Sequence, residues 1–261
     1  MEDCEDLQLD LDRINEWSKR WDMDFNMSKC HVIEFGRSKY RPSFEYKMGD
    51  RVIEKSVEEE DLGICFQESL SPELHINRKV RNTLGILSDV RINFAYIDAE
   101  MMSKIIKSII RPKLEYAQVV WAPHLINHSK KIERVQRTAT RMIPELENLE
   151  YEDRLKRLGL ESLEDRRTRG DLIQLFKFVR GFDETDIQNW IVVDNLKMTR
   201  RAHDYKLRFL TCDSDLKRTA FPNRVIQMWN RLPERVVCAN SISKFKEEYD
   251  VYSKESGTPR A

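Results

Sequence analysis

The chain has 261 residues, 40% hydrophobic and 34% charged, enough apolar content to bury a core and too much for wholesale disorder. Lys and Arg together number 45, as do Asp and Glu, so net charge selects no class of partner and the distribution of charge has to be read instead. No window approaches the roughly 20 apolar residues of a membrane span, and Met1-Glu2-Asp3-Cys4-Glu5-Asp6 is acidic where a signal peptide would be basic and then apolar. No membrane partner is therefore expected, and the expected location is intracellular, nuclear or cytoplasmic.

Along the chain, Leu7, Leu11, Ile14, Trp17 and Trp21 recur at helical spacing and define an amphipathic helix whose apolar face must lean on something. Short strand-like pieces follow at 32–35, 44–48, 51–53 after a turn at Gly49-Asp50, and 62–66. After Pro72 the period is helical. Leu84, Leu87 and Val90 mark one helix. Met101, Ile105, Ile106, Ile109 and Ile110 mark a second, expected to stop at Arg111-Pro112. A third spans 114–121, and a fourth, 129–142, turns Ile132, Val135 and Ala139 inward. A short fifth carries Leu155 and Leu158, and a sixth begins at the capping box Ser162-Leu163-Glu164-Asp165 and runs to Gly181. From 182 to about 217 the pattern weakens into loops with a possible strand at 205–209. A helix with Val225, Trp229 and Leu232 closes at Pro233, and 243–249 forms one more. The fold class expected is mainly α: a small α+β unit over 1–71 (one helix plus short antiparallel strands), a helical bundle over 72–181, a loop-rich C-terminal extension over 182–254, and a disordered tail over 255–261.

Charge on the fourth helix is the strongest physical signal. Lys130, Arg134, Arg137 and Arg141 follow one another at spacings of four, three and four, with Glu133 the only acid between them. Such a stripe can track a phosphate backbone, or it can be a solvated helix face. Arg166, Arg167 and Arg169 sit beside Glu164, Asp165 and Asp171, and local pairing such as Arg167 with Asp171 is expected. Arg154, Lys156 and Arg157 are similarly mixed with Glu152 and Asp153. His124 and His128 have a helical metal-pair spacing but no third ligand, so a surface histidine pair is expected. The run Glu58-Glu59-Glu60-Asp61 is expected to be solvated, and Cys4, Cys30, Cys65, Cys212 and Cys238 to be free thiols, with no metal site. No phosphate-binding glycine loop, nucleophile elbow or Asp-Asp dipeptide occurs, so no self-sufficient catalytic site is read.

Several runs together resemble the reverse transcriptases of LINE-type (non-LTR) retrotransposons, jockey-like or chicken-repeat-like, in the region after the catalytic turn. They are Leu7-Gln8-Leu9-Asp10-Leu11-Asp12, Glu16-Trp17-Ser18-Lys19-Arg20-Trp21, Phe25-Asn26-Met27-Ser28-Lys29-Cys30, Asp61-Leu62-Gly63-Ile64 and Ser108-Ile109-Ile110-Arg111-Pro112-Lys113-Leu114-Glu115-Tyr116-Ala117. Val120-Trp121-Ala122-Pro123, Glu133-Arg134-Val135-Gln136-Arg137-Thr138-Ala139-Thr140, Tyr151-Glu152-Asp153-Arg154-Leu155-Lys156-Arg157-Leu158-Gly159-Leu160 and Trp229-Asn230-Arg231-Leu232-Pro233 continue the match. It covers nearly the whole chain, from about Leu7 to Tyr249.

The resemblance implies that 1–71 is the end of a palm and 72–181 a thumb-like bundle followed by the C-terminal extension. Lys29 would stand where such polymerases place a lysine that protonates pyrophosphate, Asp61, Leu62 and Gly63 at the primer-grip turn, and the helix carrying Lys130, Arg134, Arg137 and Arg141 against template and primer. The family's RNA-directed DNA polymerase uses two Mg2+ ions held by aspartates, and those aspartates precede the residues matching Leu7. The function expected is thus that of a catalytically incomplete fragment that retains binding to RNA–DNA hybrid or RNA, with no cofactor of its own and Lys29 vestigial. The alternative is a domesticated helical module that binds a protein partner or structured RNA, with Trp190 as an anchor.

Overall fold

The computed structural model describes residues 2–36, 44–183, 191–193, 205–208, 212 and 214–256. The protein is mainly helical with a few short strands, and no helix among the described residues is long and apolar enough to cross a membrane. It divides into two compact units, Met1–His75 and Ile76–Ala261.

The first unit opens with helix α1 (Glu2–Arg20), whose acidic first turn and basic last turn suit the helix dipole. Its apolar stripe does not lean on the rest of the unit as expected: Leu7, Ile14, Trp17 and Trp21 are exposed, Trp21 by 62%. Polar contacts hold the helix instead. The Gln8 side chain donates to the Lys47 carbonyl and accepts from its amide, both at 2.9 Å, while the buried Ser18 hydroxyl donates to the Met23 carbonyl at 2.6 Å. Lys47 belongs to strand β2, so α1 docks like an extra edge on that strand.

Strands β1 (His31–Val32), β2 (Lys47–Met48), β3 (Arg51–Val52), β4 (Glu54–Lys55), β5 (Glu58–Asp61) and β6 (Ile64–Gln67) form three two-stranded pairs rather than one antiparallel sheet. β1 pairs with β4 in parallel, β2 with β3 across a turn containing Gly49 at φ 62°, and β5 with β6. The strand at 58–61 was not expected, because four consecutive acids disfavour a strand by propensity; pairing each with a residue of β6 overrides that preference.

The second unit takes in nearly all of helix α2 (Glu73–Asn93), which buries Thr83, Leu87 and Val90. The following helix does not stop at Arg111-Pro112. It runs from α3 (Ala99–Ile105) through a π turn at Ile106–Ile110 into α4 (Arg111–Glu115), with the Arg111 amide bonded to the Ile106 carbonyl five residues back. The widened turn lies directly before Pro112 and takes up the residue that the proline ring would otherwise displace. It also keeps the core face aligned. Met102, Ile106, Ile110 and Leu114 are buried at four-residue intervals. At about 100° per residue, twelve residues overshoot three turns by about 120°, and the one extra residue held in the π turn cancels about 100° of it. Ile109, expected inside, is exposed in consequence.

Ala117, at φ 53°, breaks the chain between α4 and the short α5 (Gln118–Trp121). Helix α6 (Ile126–Arg141) buries Ile132, Val135, Gln136, Ala139 and Thr140, and Pro144 opens a single 3-10 turn after it. In α7 (Tyr151–Leu158), Gly159 caps the C-terminus in the left-handed conformation at φ 58°, which glycine adopts without a Cβ penalty. The capping box works as read: the Ser162 side chain accepts from the Asp165 amide at 3.0 Å and starts α8 (Leu163–Val179).

The remaining elements are β7 (Val192–Val193), β8 (Leu207–Arg208), α9 (Asp215–Thr219), α10 (Phe221–Trp229), α11 (Glu234–Val237) and α12 (Ile242–Glu255). β8 falls inside the strand expected at 205–209 and pairs antiparallel with β7. Asn230 holds β8 by accepting from the Leu207 amide at 3.0 Å and donating to its carbonyl at 2.8 Å. Leu172, Leu175 and Phe176 of α8 share one core with Val225, Ile226, Trp229, Val236 and Phe245. There Phe176 stacks on Phe245 at 4.4 Å, and the Trp229 indole donates to the Tyr205 carbonyl at 2.7 Å. α8 is therefore buried on two sides, against the helices before it and those after it.

Candidate nucleic-acid interface

On α6 the four cations lie within about 60° of arc at about 100° per residue and extend over about 16 Å of helix. Lys130, Arg134, Arg137 and Arg141 are all exposed, and none forms an ion pair among the described residues. Two grooves flank the stripe. One, of about 580 Å3, is lined by His124, Leu125, Lys130, Arg134, Arg137 and Glu164. The other, of about 570 Å3, brings Arg141 together with Arg91 and the partly exposed rings of Phe94 and Tyr96.

Glu133 would neutralise this face if it lay on it. It turns to the flank instead, where its carboxylate accepts from the Leu163 amide at 3.0 and 3.2 Å and from the Tyr151 hydroxyl. The acid thus satisfies one of the unpaired amides at the start of α8, where the helix dipole favours negative charge. Gln136 extends the network: its amide donates to the Tyr151 hydroxyl and to the Glu161 carbonyl, both at 3.0 Å, and its oxygen accepts from Arg111 at 3.1 Å. Arg111 also donates to the Glu161 carbonyl at 2.8 Å. These contacts fix α6 against α4, α7 and the start of α8, so the stripe is carried on a braced helix. Burial and the Glu133 charge push the Tyr151 hydroxyl far above the usual tyrosine range, so it stays a proton donor. Burial likewise raises the Glu164 carboxyl in the first groove, outweighing the nearby Arg167.

The second arginine cluster does not pair locally. Arg166 makes a bidentate contact with Glu115, and Arg169 one with Asp250 at 2.7 and 2.9 Å. Asp171 bonds Arg224 at 2.9 and 3.0 Å rather than Arg167, and the buried Arg167 keeps an Nη2 with no hydrogen-bond acceptor. The i,i+4 expectation failed because α8 is packed on two sides, and its charges meet acids from distant elements before each other. Of the expected surface histidine pair, His124 is exposed but His128 is buried, with ring centroids 6.2 Å apart.

The residues singled out in the first unit stand as follows. Asn26 caps the 3-10 turn Met27–Lys29 by accepting from the Ser28 amide at 3.1 Å, and Lys29 is exposed. Asp61 ends β5, and Leu62 and Gly63, at φ 48° and 74°, make the two-residue hairpin turn into β6, with Leu62 80% exposed. Along β5, successive carboxylates alternate faces, so the run Glu58–Asp61 does not converge on one point. Glu59 accepts from His31 Nδ1 at 2.8 Å. Among the described residues no three His, Cys, Asp or Glu side chains gather as they would around a metal ion. None of the five cysteines forms a disulfide, and Trp190 lies outside the described residues.

Sequence reasoning missed the inward role of Glu133, the bracing by Arg111 and Gln136, and Tyr151. All four fall inside runs that carry the resemblance, which was the one available signal. No known protein family, no curated protein and no solved structure matches the chain.

Proposed function

We propose that the chain is the post-catalytic part of a LINE-type reverse transcriptase, the end of the palm, the thumb and the C-terminal extension, and that the exposed face of α6 binds the phosphates of an RNA–DNA template–primer duplex. The observation that supports this most is that Lys130, Arg134, Arg137 and Arg141 stand exposed and without acid partners while Glu133, the one acid among them, is engaged elsewhere. A merely solvated helix face gains from acids paired at i,i+4 positions; here the one acid so placed, Glu133 four residues before Arg137, bonds Leu163 and Tyr151 instead, and each cation left without a carboxylate can release counterions on meeting a phosphate.

On this reading the residues bind and do not catalyse. Phosphoryl transfer needs metal ions that align the attacking hydroxyl and neutralise the triphosphate, and in the resembled family the carboxylates that hold them precede the part matched here. On this reading the protein works inside the cell, nuclear or cytoplasmic. The test is binding of the purified chain to labelled RNA–DNA hybrid, duplex DNA and single-stranded RNA, with a primer-extension assay alongside in Mg2+ and dNTPs. Hybrid binding without extension is expected. Extension would contradict the binding-only role, and failure to bind any nucleic acid at low salt would overturn the duplex assignment in favour of a protein-binding module.

A further inference from the structure

Arg154 sits on α7, where the sequence mixes it with Glu152 and Asp153. It pairs with neither. Its side chain is 5% exposed and its Nε has no hydrogen-bond partner. Lys156, one turn along, takes Asp153 at 3.3 Å instead. The Arg154 guanidinium lies 5.6 Å from the centre of the Tyr151 ring, and the Arg137 guanidinium of α6 lies 4.3 Å from the same ring. Arg141 follows Arg137 by four residues on the same helix face, where side chains are neighbours.

Two guanidiniums thus flank one tyrosine whose hydroxyl is already committed to Glu133 and Gln136, and the Arg141 charge is close enough to act on Arg154. Among the described residues no carboxylate bonds Arg137, Arg141 or Arg154. A buried cation without a hydrogen-bonded anion is costly, and breaking up such an arrangement usually involves losing the charge or supplying a counter-ion. Burial lowers the Arg154 proton affinity first, and repulsion from Arg141 and Arg137 lowers it further. Glu150 acts in the opposite direction more weakly than either arginine. Arginine remains charged under such pressure, which leaves a missing anion as the remaining way to offset the repulsion. The planar forks of arginine match a tetrahedral oxyanion bidentately, and the ring fixes one fork in place.

We propose that Arg137 and Arg154, which flank the Tyr151 ring, form with Arg141, one turn further along α6, a binding site for a single phosphate group. As the site lies at the C-terminal half of the α6 stripe, assigning that phosphate to a nucleic-acid strand rests on the function proposed above; a free phosphate has the same chemistry, and the experiment separates the two sources.

The experiment uses the full chain and two probes. In the first arm, thermal unfolding is followed with inorganic phosphate against chloride at matched ionic strength. The wild type is expected to show a higher midpoint in phosphate. Arg154→Met, which keeps the volume and removes the uncompensated charge, is expected to match or exceed the wild-type midpoint in chloride and to lose the phosphate shift. No phosphate shift in the wild type, or a full shift in Arg154→Met, overturns the site. If Arg154→Met does not fold, Arg137→Ala with Arg141→Ala, both exposed positions, is expected to lose the shift, and a retained shift overturns the site equally. In the second arm, binding of an RNA–DNA hybrid is measured over a salt series. A salt slope lower by about one unit in Arg154→Met assigns the phosphate to the strand. An unchanged slope beside a lost phosphate shift assigns it to free phosphate. Absence of hybrid binding by the wild type with the phosphate shift intact would overturn the proposed function and leave the site standing.

Discussion

Replacing Glu133 probes the frame on which the α6 stripe is carried. Glu133→Ala removes the acceptor of the Leu163 amide, bonded at 3.0 Å, and that of the Tyr151 hydroxyl. Loss of a helix-start acceptor costs about 1 kcal/mol, and loss of a charged acceptor by a buried hydroxyl about 1.5–3 kcal/mol. Tyr151 retains its contact with Gln136, but there the amide donates to it, so its own proton is left without an acceptor. The expected loss is therefore about 2.5–4 kcal/mol, which at a urea slope of about 1–3 kcal/mol per molar moves the midpoint down by about 1 M or more. Glu133→Gln keeps an acceptor and loses the charge, so about half that loss is expected. The assay is urea unfolding followed by far-UV circular dichroism. An alanine variant within about 0.5 kcal/mol of wild type, the usual range for an uninvolved surface residue, would refute the assignment of Glu133 as the brace. Because the glutamine variant removes an acid next to the stripe, its hybrid affinity is expected to be no lower than wild type; a drop would place Glu133 in the binding face instead.

Asp171→Ala leaves the half-buried Arg224 guanidinium without its carboxylate and is expected to cost about 1.5–3 kcal/mol, the range for a charge-assisted hydrogen bond; a loss under 1 kcal/mol in the same urea assay would show that the pair contributes little. Leu62 is held at φ 48° at an exposed hairpin tip, so Leu62→Asn is expected to raise stability by about 1 kcal/mol, and a decrease would show that the leucine side chain has a covering contact. The Glu164 carboxyl is raised by burial in the folded chain, so its contribution favours folding below the usual glutamate value of about 4.3 and is lost as pH rises through the folded value. Glu164→Gln, which mimics the protonated form, is then expected to raise the unfolding midpoint slightly at pH 7 and not at pH 3.5; an equal effect at both would contradict the shift.

Where the sequence was legible, one local signal decided the element. Ser162 at a capping box and Gly159 just past Leu158 mark the ends of α8 and α7, and Ile132, Val135 and Ala139 identify the buried face of α6. Where a distant partner decided, the local reading failed. Pro112 reads as a stop, yet the π turn before it carries the helix through, because burying Met102, Ile106, Ile110 and Leu114 together rewards continuity. Glu58 to Asp61 carry no strand signal of their own, yet they pair residue by residue with β6. Arg166, Arg167 and Arg169 read as partners of nearby acids, yet Glu115 and Asp250, more than fifty residues away in either direction, take two of them. In the candidate site the exposed cations were legible from spacing alone. The turning away of Glu133 was not, since it depends on Tyr151 arriving from a separate helix, nor was the burial of Arg154, since its own helix α7 packs against α6.

The central claim is that the α6 face meets nucleic-acid phosphates, and the most direct measurement is the salt dependence of RNA–DNA hybrid binding by fluorescence anisotropy. Wild type is to be compared with the triple variant Arg134→Ala, Arg137→Ala, Arg141→Ala. Each lost phosphate contact lowers the slope of log affinity against log salt by about 0.9, so the triple variant is expected to lose about two to three units of slope while unfolding at the wild-type urea midpoint. Equal slopes for the two proteins would contradict the claim and make the stripe a solvated face.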